Sequence, residues 1–400
     1  MNTISKSPSF SLSNLPSSFS KFLKMSEIDP VVYTIQNLPR YIRINLFQYN
    51  DEHSQLQICK ELEEQIGTKI WPVKGIDGFF GLDGNCRIVD CKAYKEGKIF
   101  GIDLSSGIAV YALDIRPNDH ILDLCCAPGA KLCMMSDILG TKGSGTITGV
   151  DISRDRASTC RSLLKKYKIS RARLFVADGA TFNVPAPTFF EQIMQMISKD
   201  EQRKLREHYA STSEEMAKIR SQEKHDELND KSQRVKPFWA PKLLRNDPQI
   251  STLYQFYDKV IVDAECTHDG SIVHILKYNK YGWDKFEKNF LNSDRINNLW
   301  DLQRNLLKNG WTLLKPGGIL VYSTCSLSHK QNEDVIGWFL SHYPNSKLEP
   351  IPNINHMTVA PLKKSRYIDV DISNAVRFDP IYSNTSGFFV TRIRKLPYDN

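Results

Sequence analysis

No stretch of roughly 18 or more consecutive apolar residues occurs in the chain, which excludes a membrane-spanning helix and makes a soluble protein the expectation. Its nine cysteines include no Cys-x-x-Cys pair, so a zinc knuckle has no basis and no bound metal is expected. The cysteine count is odd and no secretory apolar segment opens the chain, which argues against a disulfide framework. Reduced thiols in an intracellular compartment follow, with nucleus or cytoplasm ahead of an organelle. Neither G-x-x-x-x-G-K-[ST] nor G-x-G-x-x-G occurs, which removes the P-loop and the dinucleotide loop. No acidic residue precedes Glu27, and Met1 to Lys24 hold many serines but no arginine. Two readings fit residues 1–27: a disordered extension, or a targeting segment short of the arginines such segments favour.

What is present is an ordinary globular composition. Of 400 residues, 41% are apolar and 24% charged, enough to bury a large core in two or three domains. From Ile28 to Gly97 the pattern is a small α+β module, with Tyr41 to Leu46 alternating as a strand and a helical stripe through Leu56, Ile58, Leu62 and Ile66. Residues 98–400 then repeat strand, loop, helix. Strands are expected at His120–Cys125, Thr146–Val150, Arg173–Ala177, Val260–Asp263 and Ile319–Ser323, with a long helix through Arg295–Leu314. That alternation predicts an α/β, doubly wound, Rossmann-like parallel sheet that binds ligands at its carboxyl strand ends. A charged helical insertion is expected to interrupt it at about 184–250, densest from Glu191 to Arg234.

Three strand ends carry ligand chemistry. After the first strand, Cys126, Ala127, Pro128, Gly129, Ala130, Lys131 and Leu132 form a turn of small residues feeding a helix N-terminus, whose free N–H groups favour an anion. Asp151 ends the second strand where a carboxylate can accept from ribose hydroxyls, and Asp178 ends the third where one can meet an adenine amine. Each acid alone could be a cap or turn former. In series they favour a nucleoside cofactor.

Two later strand ends carry thiols: Cys266 closes Val262-Asp263-Ala264-Glu265, and Cys325 follows Tyr322-Ser323-Thr324. Buried cysteine is commonly inert, but paired thiols on a cofactor rim suit chemistry on a pyrimidine. The C5 carbon of cytosine is a weak nucleophile until a thiolate adds at C6. A second group must then help the adduct collapse.

With these residues the chain resembles the Sun family of S-adenosylmethionine-dependent RNA cytosine-C5 methyltransferases. The similarity runs roughly from Tyr41 to Lys395. Besides the loop, its markers are Gly101-Ile102-Asp103-Leu104-Ser105-Ser106, Asp263 to Cys266, Ser323-Thr324-Cys325-Ser326-Leu327 and Gly387-Phe388-Phe389-Val390. The resemblance implies Cys325 as nucleophile and Cys266 as the product-releasing residue. It also implies that the loop holds the methionine part of S-adenosylmethionine, with Asp151 on the ribose, Asp178 on the adenine, Asp263 between cofactor and base, and Arg156 in the cofactor set. The module before Gly97 is implied to be RNA-recognition-like.

Two departures stand out. Ala130 replaces a usual Gly, tolerable at negative φ. Glu265 replaces the usual Pro, and its charge would oppose a nearby thiolate unless it faces the base or solvent. A basic run from Arg154 to Arg173 is either a solvated helix face or a phosphate track. Residues 1–120 carry 13 basic and 14 acidic side chains, so the net +8 belongs to the remainder. The expected activity is C5 methylation of cytosine in single-stranded or splayed RNA, tRNA slightly ahead of rRNA. A catalytically silent RNA-binding factor that keeps the fold is the alternative.

Overall fold

The computed structural model describes residues 11–35, 37–187, 237–241, 244, 256–291 and 293–397. A small antiparallel sheet comes first. β1 (Arg40–Ile44), β2 (Trp71–Pro72), β3 (Phe79–Leu82) and β4 (Ile99–Gly101) lie in the order β2-β3-β1-β4. Helix α2 (Glu52–Ile66) packs Ile58, Cys59 and Leu62 against it. Its cap is Asp51, which accepts from Ser54 N–H at 2.8 Å, and it ends where Gly67 turns left-handed. Because β4 pairs with β1, the module extends to Gly101, four residues past the boundary read from the sequence.

The second sheet has the order β10-β12-β9-β8-β5-β6-β7. These strands are β5 (His120–Asp123), β6 (Thr146–Asp151), β7 (Ala172–Val176), β8 (Tyr257–Asp263), β9 (Leu314–Thr324), β10 (Ser346–Glu349), β11 (Val376–Phe378) and β12 (Phe388–Lys395), with β11 paired to β12. β5 to β9 are mutually parallel, and β12 runs antiparallel beside β9. Residue alternation splits each strand between two cores. Ile121, Ile147, Ile261 and Val321 face one, and Leu122, Val150, Val262 and Tyr322 the other. Helices α5 (Ala130–Leu139) and α6 (Arg154–Lys166) cover the first face, and the helices Ser293–Leu313 and Glu333–His342 cover the second. The chain runs outward from β5 to β7 and then restarts at β8 on the other side of β5. That reversal opens a crevice at the carboxyl ends of β5 and β8.

Two sequence expectations change here. The disordered extension over 1–27 does not hold for its second half, because α1 (Ser17–Met25) buries Phe19, Phe22 and Leu23 against Ile272, Ile275 and Phe286. Apolar residues at helical spacing supply the burial that the serine content conceals; residues 1–10 lie outside the described residues. Most of the insertion expected over 184–250 also lies outside them, but its ends are core rather than solvated. Val184, Ala186, Ala240 and Leu244 are buried, and Trp239 pairs with Leu174 on the outer edge of β7. No helix among the described residues is long and apolar enough to cross a membrane.

The basic run is not a single surface. Arg173 is buried and donates to Thr148 Oγ1 at 3.0 Å and to the Pro185 carbonyl, while Arg171 donates to the Thr141 and Gly143 carbonyls. Lys166 sits 3.4 Å from the centroid of the Tyr94 ring, joining α6 to the small module. Arg154 and Arg161 both stand over Phe238.

Candidate active site

The loop after β5 is shaped by one glycine. Gly129 adopts φ +107°, and a Cβ there would meet Cys160 Cα at 3.2 Å. Ala130 then starts α5 outside the left-handed region, so the substitution is accommodated. The helix has no side-chain cap, which leaves its first N–H groups for a ligand carboxylate. Cys126 and Leu132 turn their side chains into the core and can offer a ligand only backbone. Ala127 donates its N–H to Asp151 at 3.2 Å and its carbonyl accepts from Arg156 at 2.9 Å. Asp151 is nearly buried, accepts also from Ser153 N–H, and keeps lone pairs for hydroxyl donors. Asp178 is exposed at its strand end.

The electrostatics fit a cationic cofactor. Asp123, at the end of β5, is buried with Oδ2 unpartnered, and burial followed by the nearby Asp263 charge pushes its carboxyl up to about 7. With Asp151, Asp178 and Asp263, four carboxylates meet this rim against Lys131 and Arg156. An ammonium and a sulfonium bound there would hold Asp123 ionised. The raised folded value means a proton on Asp123 favours the free fold, a contribution lost as pH rises through about 7. A cationic ligand displaces that proton, so affinity for S-adenosylmethionine is expected to tighten roughly tenfold from pH 6 to pH 8 and then level off. Calorimetry across that range checks it, and a flat profile in the unsubstituted protein would refute it.

Asp263 connects the loop to the thiols. Its Oδ2 accepts from Lys131 Nζ at 2.7 Å and its Oδ1 from Ser323 Oγ at 2.6 Å, two residues before Cys325. The two sequence-predicted cysteines do meet: Cys266 Sγ and Cys325 Sγ are 3.3 Å apart. Gly270 allows this convergence. A Cβ on it would sit 2.7 Å from the Cys325 carbonyl and 2.6 Å from that of Gly387. Asp269 then ties the loops, accepting from Thr267 Oγ1, from Ser326 Oγ at 2.7 Å and from Leu327 N–H at 2.7 Å.

Sequence reasoning missed His268, whose Nδ1 lies 2.9 Å from Cys325 Sγ and 4.0 Å from Cys266 Sγ. The hydrogen bond from Cys266 and the charge of His268 hold the Cys325 thiol well below its ordinary value, against its burial. Cys266 is correspondingly pushed up, by that hydrogen bond and by burial. Cys325 is partly exposed and Cys266 fully buried behind it. The pair therefore favours ionisation at the accessible Cys325 and a retained proton on the buried Cys266. Burial instead pushes Cys125 in the cofactor loop upward.

Sequence reasoning also missed Arg295, which pairs with Glu265 at 2.7 Å and donates to the Cys266 carbonyl at 3.4 Å. Glu265 thus faces a counter-charge, an arrangement neither of its expected orientations included. Gln303 secures the same turn by donating to the Glu265 carbonyl at 2.9 Å.

A mixed sheet of this strand order, parallel from β5 to β9, with a nucleoside-compatible crevice beside paired thiols, defines a Rossmann-like methyltransferase. The family model for the 16S rRNA methyltransferase RsmB/F matches residues 110–197 and 207–394. The chain belongs to that family, and its cofactor is S-adenosylmethionine. It is 25% identical over 365 residues to the tRNA (cytosine(49)-C(5))-methyltransferase of Pyrococcus abyssi, covering 91% of this chain and 90% of that one. It is 21% identical to ribosomal RNA small subunit methyltransferase F of Aliivibrio salmonicida, over 90% of this chain and 58% of that one. With the rRNA (cytosine-C(5))-methyltransferase NOP2C of Arabidopsis thaliana it shares 25% identity, over 64% and 45%. The chain thus spans about half the length of these last two. The crystal structure of NSun6 from Pyrococcus horikoshii with SFG has the same fold, with a TM-score of 0.62 at 15% identity over 97% of this chain and all of that one. A methyltransferase homologue from Pyrococcus horikoshii gives 0.58 at 22% identity, over 96% and 100%.

Proposed function

We propose that the protein methylates C5 of cytosine in RNA, tRNA ahead of rRNA, through a covalent adduct between Cys325 and C6. The carrying observation is the Cys325–Cys266 pair, 3.3 Å apart with the accessible thiol held below its ordinary value, at the rim of the cofactor crevice. Methyl transfer to nitrogen or oxygen has no use for two such thiols. The preference for tRNA rests on the relative whose length this chain nearly matches. When bound, S-adenosylmethionine supplies an electrophilic methyl group. A sulfur lone pair of Cys325 forms the S–C6 bond, and the former C5=C6 pair becomes available at C5 to bond the methyl carbon. Loss of the C5 proton to solvent water leaves its bonding pair to restore C5=C6, and the S–C6 pair returns to Cys325. Cys266 assists that departure with the hydrogen bond it already gives the Cys325 sulfur. Asp263, fixed by Lys131 and Ser323, lies between the cofactor loop and the thiols.

Labelled S-adenosylmethionine incubated with separate tRNA and rRNA fractions, followed by mapping of 5-methylcytosine, tests the reading. Label at C5 in tRNA is expected. No C5 label in either fraction with folded protein would overturn the activity, and label confined to rRNA would overturn the preference.

Glu265, the residue behind the silent-factor alternative, is compensated by Arg295. Glu265→Gln is therefore expected to change the rate less than about threefold, because part-exposed pairs contribute about 0–1 kcal/mol. Arg295→Ala strands a carboxylate near the thiolate and is expected to slow transfer by roughly tenfold. Equal single-turnover rates for the two variants would rule out charge compensation.

A further inference from the structure

His268 is held in an unusual place. Its backbone lies in the left-handed region, φ +56°, which few residues with a Cβ adopt. That conformation sets Nδ1 2.9 Å from Cys325 Sγ, with the ring edge-on to Phe290 at a centroid separation of 5.4 Å. The charged and titratable groups around it come from every packed element. Cys325 follows β9, Asp263 ends β8, Cys266 and Asp269 share its loop, Arg295 comes from the long helix, and His274 from the helix Ile272–Tyr281. Cys325 and Asp263 favour the imidazolium; Arg295 and burial oppose it, and the balance lies above the ordinary histidine value.

We propose that His268 takes the thiol proton of Cys325 and, as an imidazolium, holds the sulfur as a thiolate both when it attacks C6 and when it leaves. The role rests on the reading of Cys325 as nucleophile. The proton moves from Sγ to Nδ1 and stays there, so no other reactant is needed. Attack consumes the anion beside the imidazolium, and collapse of the adduct regenerates it. One group thereby assists both bond formation and bond cleavage. Cys266, 4.0 Å from the same nitrogen, supplies the second donor to the sulfur.

The test is alkylation of the full-length protein by iodoacetamide without RNA, from pH 5.5 to 9.5, following the peptide that carries Cys325 by mass spectrometry. In the unsubstituted protein the rate is expected to stay nearly flat between the lowered thiol and raised imidazole values. His268→Asn is the informative variant, because Asn also tolerates left-handed backbone. There the thiol returns toward about 8.5, and alkylation at pH 6.5 is expected to fall at least roughly tenfold, even though a more basic thiolate is intrinsically more nucleophilic. The deficit should close toward pH 9.5. Where the Asn variant does not fold, His268→Gly with added imidazole replaces it, and recovery of the low-pH rate is expected. Superimposable profiles for the unsubstituted and Asn proteins, or no imidazole rescue of a folded Gly variant, would overturn the proposal. A His268-dependent profile in a protein that labels no RNA would strike the substrate reading alone.

Discussion

Methyl transfer to RNA by Cys325→Ala is expected to fall by roughly 10⁴-fold or more, and Cys266→Ala is expected to accumulate RNA covalently attached to protein. The asymmetry follows from geometry. Cys325 is the partly exposed thiol of the pair and the one held below its ordinary value, so its removal takes away the attacking group. Cys266 is fully buried, and among the described residues its sulfur has hydrogen-bond contacts to Cys325, at 3.3 Å, and His268, at 4.0 Å. Removing it leaves the His268–Cys325 contact at 2.9 Å, so attack survives. One of the two donors to the departing sulfur is gone, so collapse slows relative to attack and the adduct accumulates. Denaturing gels of labelled RNA with each variant check this. A band retained at protein mass is expected with Cys266→Ala and none with Cys325→Ala. The reverse pattern would exchange the roles of the two thiols, and turnover by both variants would eliminate the covalent route.

The residues legible in the sequence are those whose position follows from local pattern. Asp151, Asp178, Asp263, Cys266 and Cys325 each end or follow a strand, and alternation of strand and helix places all five on one rim once their strands are parallel, whereas the buried Asp123 beside them was not singled out. The loop through Gly129 was legible because small residues before a helix have one backbone use. His268 was not. Nothing in Thr267-His268-Asp269-Gly270 marks a ring aimed at a sulfur 57 residues away; the contact exists because Gly270 packs backbone to backbone against the Cys325 segment. Arg295 was hidden in the same way, on a helix whose register against Glu265 is set by Gln303 and the core beneath. α1 was misjudged because its partners, Ile272, Ile275 and Phe286, lie some 250 residues on. Tyr33 extends the same contact, donating to the Asp269 carbonyl at 2.8 Å, so the N-terminal segment braces the loop that carries His268.

Arg377→Met is expected to destabilise the fold by about 3–5 kcal/mol, the usual consequence of removing one partner from a buried ion pair. Arg377 and Glu333 are both essentially inaccessible, and the guanidinium donates to Glu333 through Nε at 3.0 Å and Nη2 at 2.5 Å. Glu333 accepts as well from Lys363 N–H at 3.0 Å, which cannot neutralise it. Without Arg377 a carboxylate at the start of the helix Glu333–His342 stays buried without its paired guanidinium, and the Lys363 ammonium is the cation left near it. Arg377 also donates to the Leu327 carbonyl at 2.9 Å, two residues after Cys325, so the segment carrying the nucleophile loses an anchor. Urea unfolding should show a lower midpoint with an unchanged slope. The double variant Arg377→Met with Glu333→Gln is expected to regain at least about half of the loss, since most of it arises from the stranded charge rather than from the bond itself. A single-variant effect under about 1 kcal/mol would show that the other anchors of the segment, Asp269 on Ser326 and Leu327 and Asn332 on the Ser326 carbonyl, suffice to hold it.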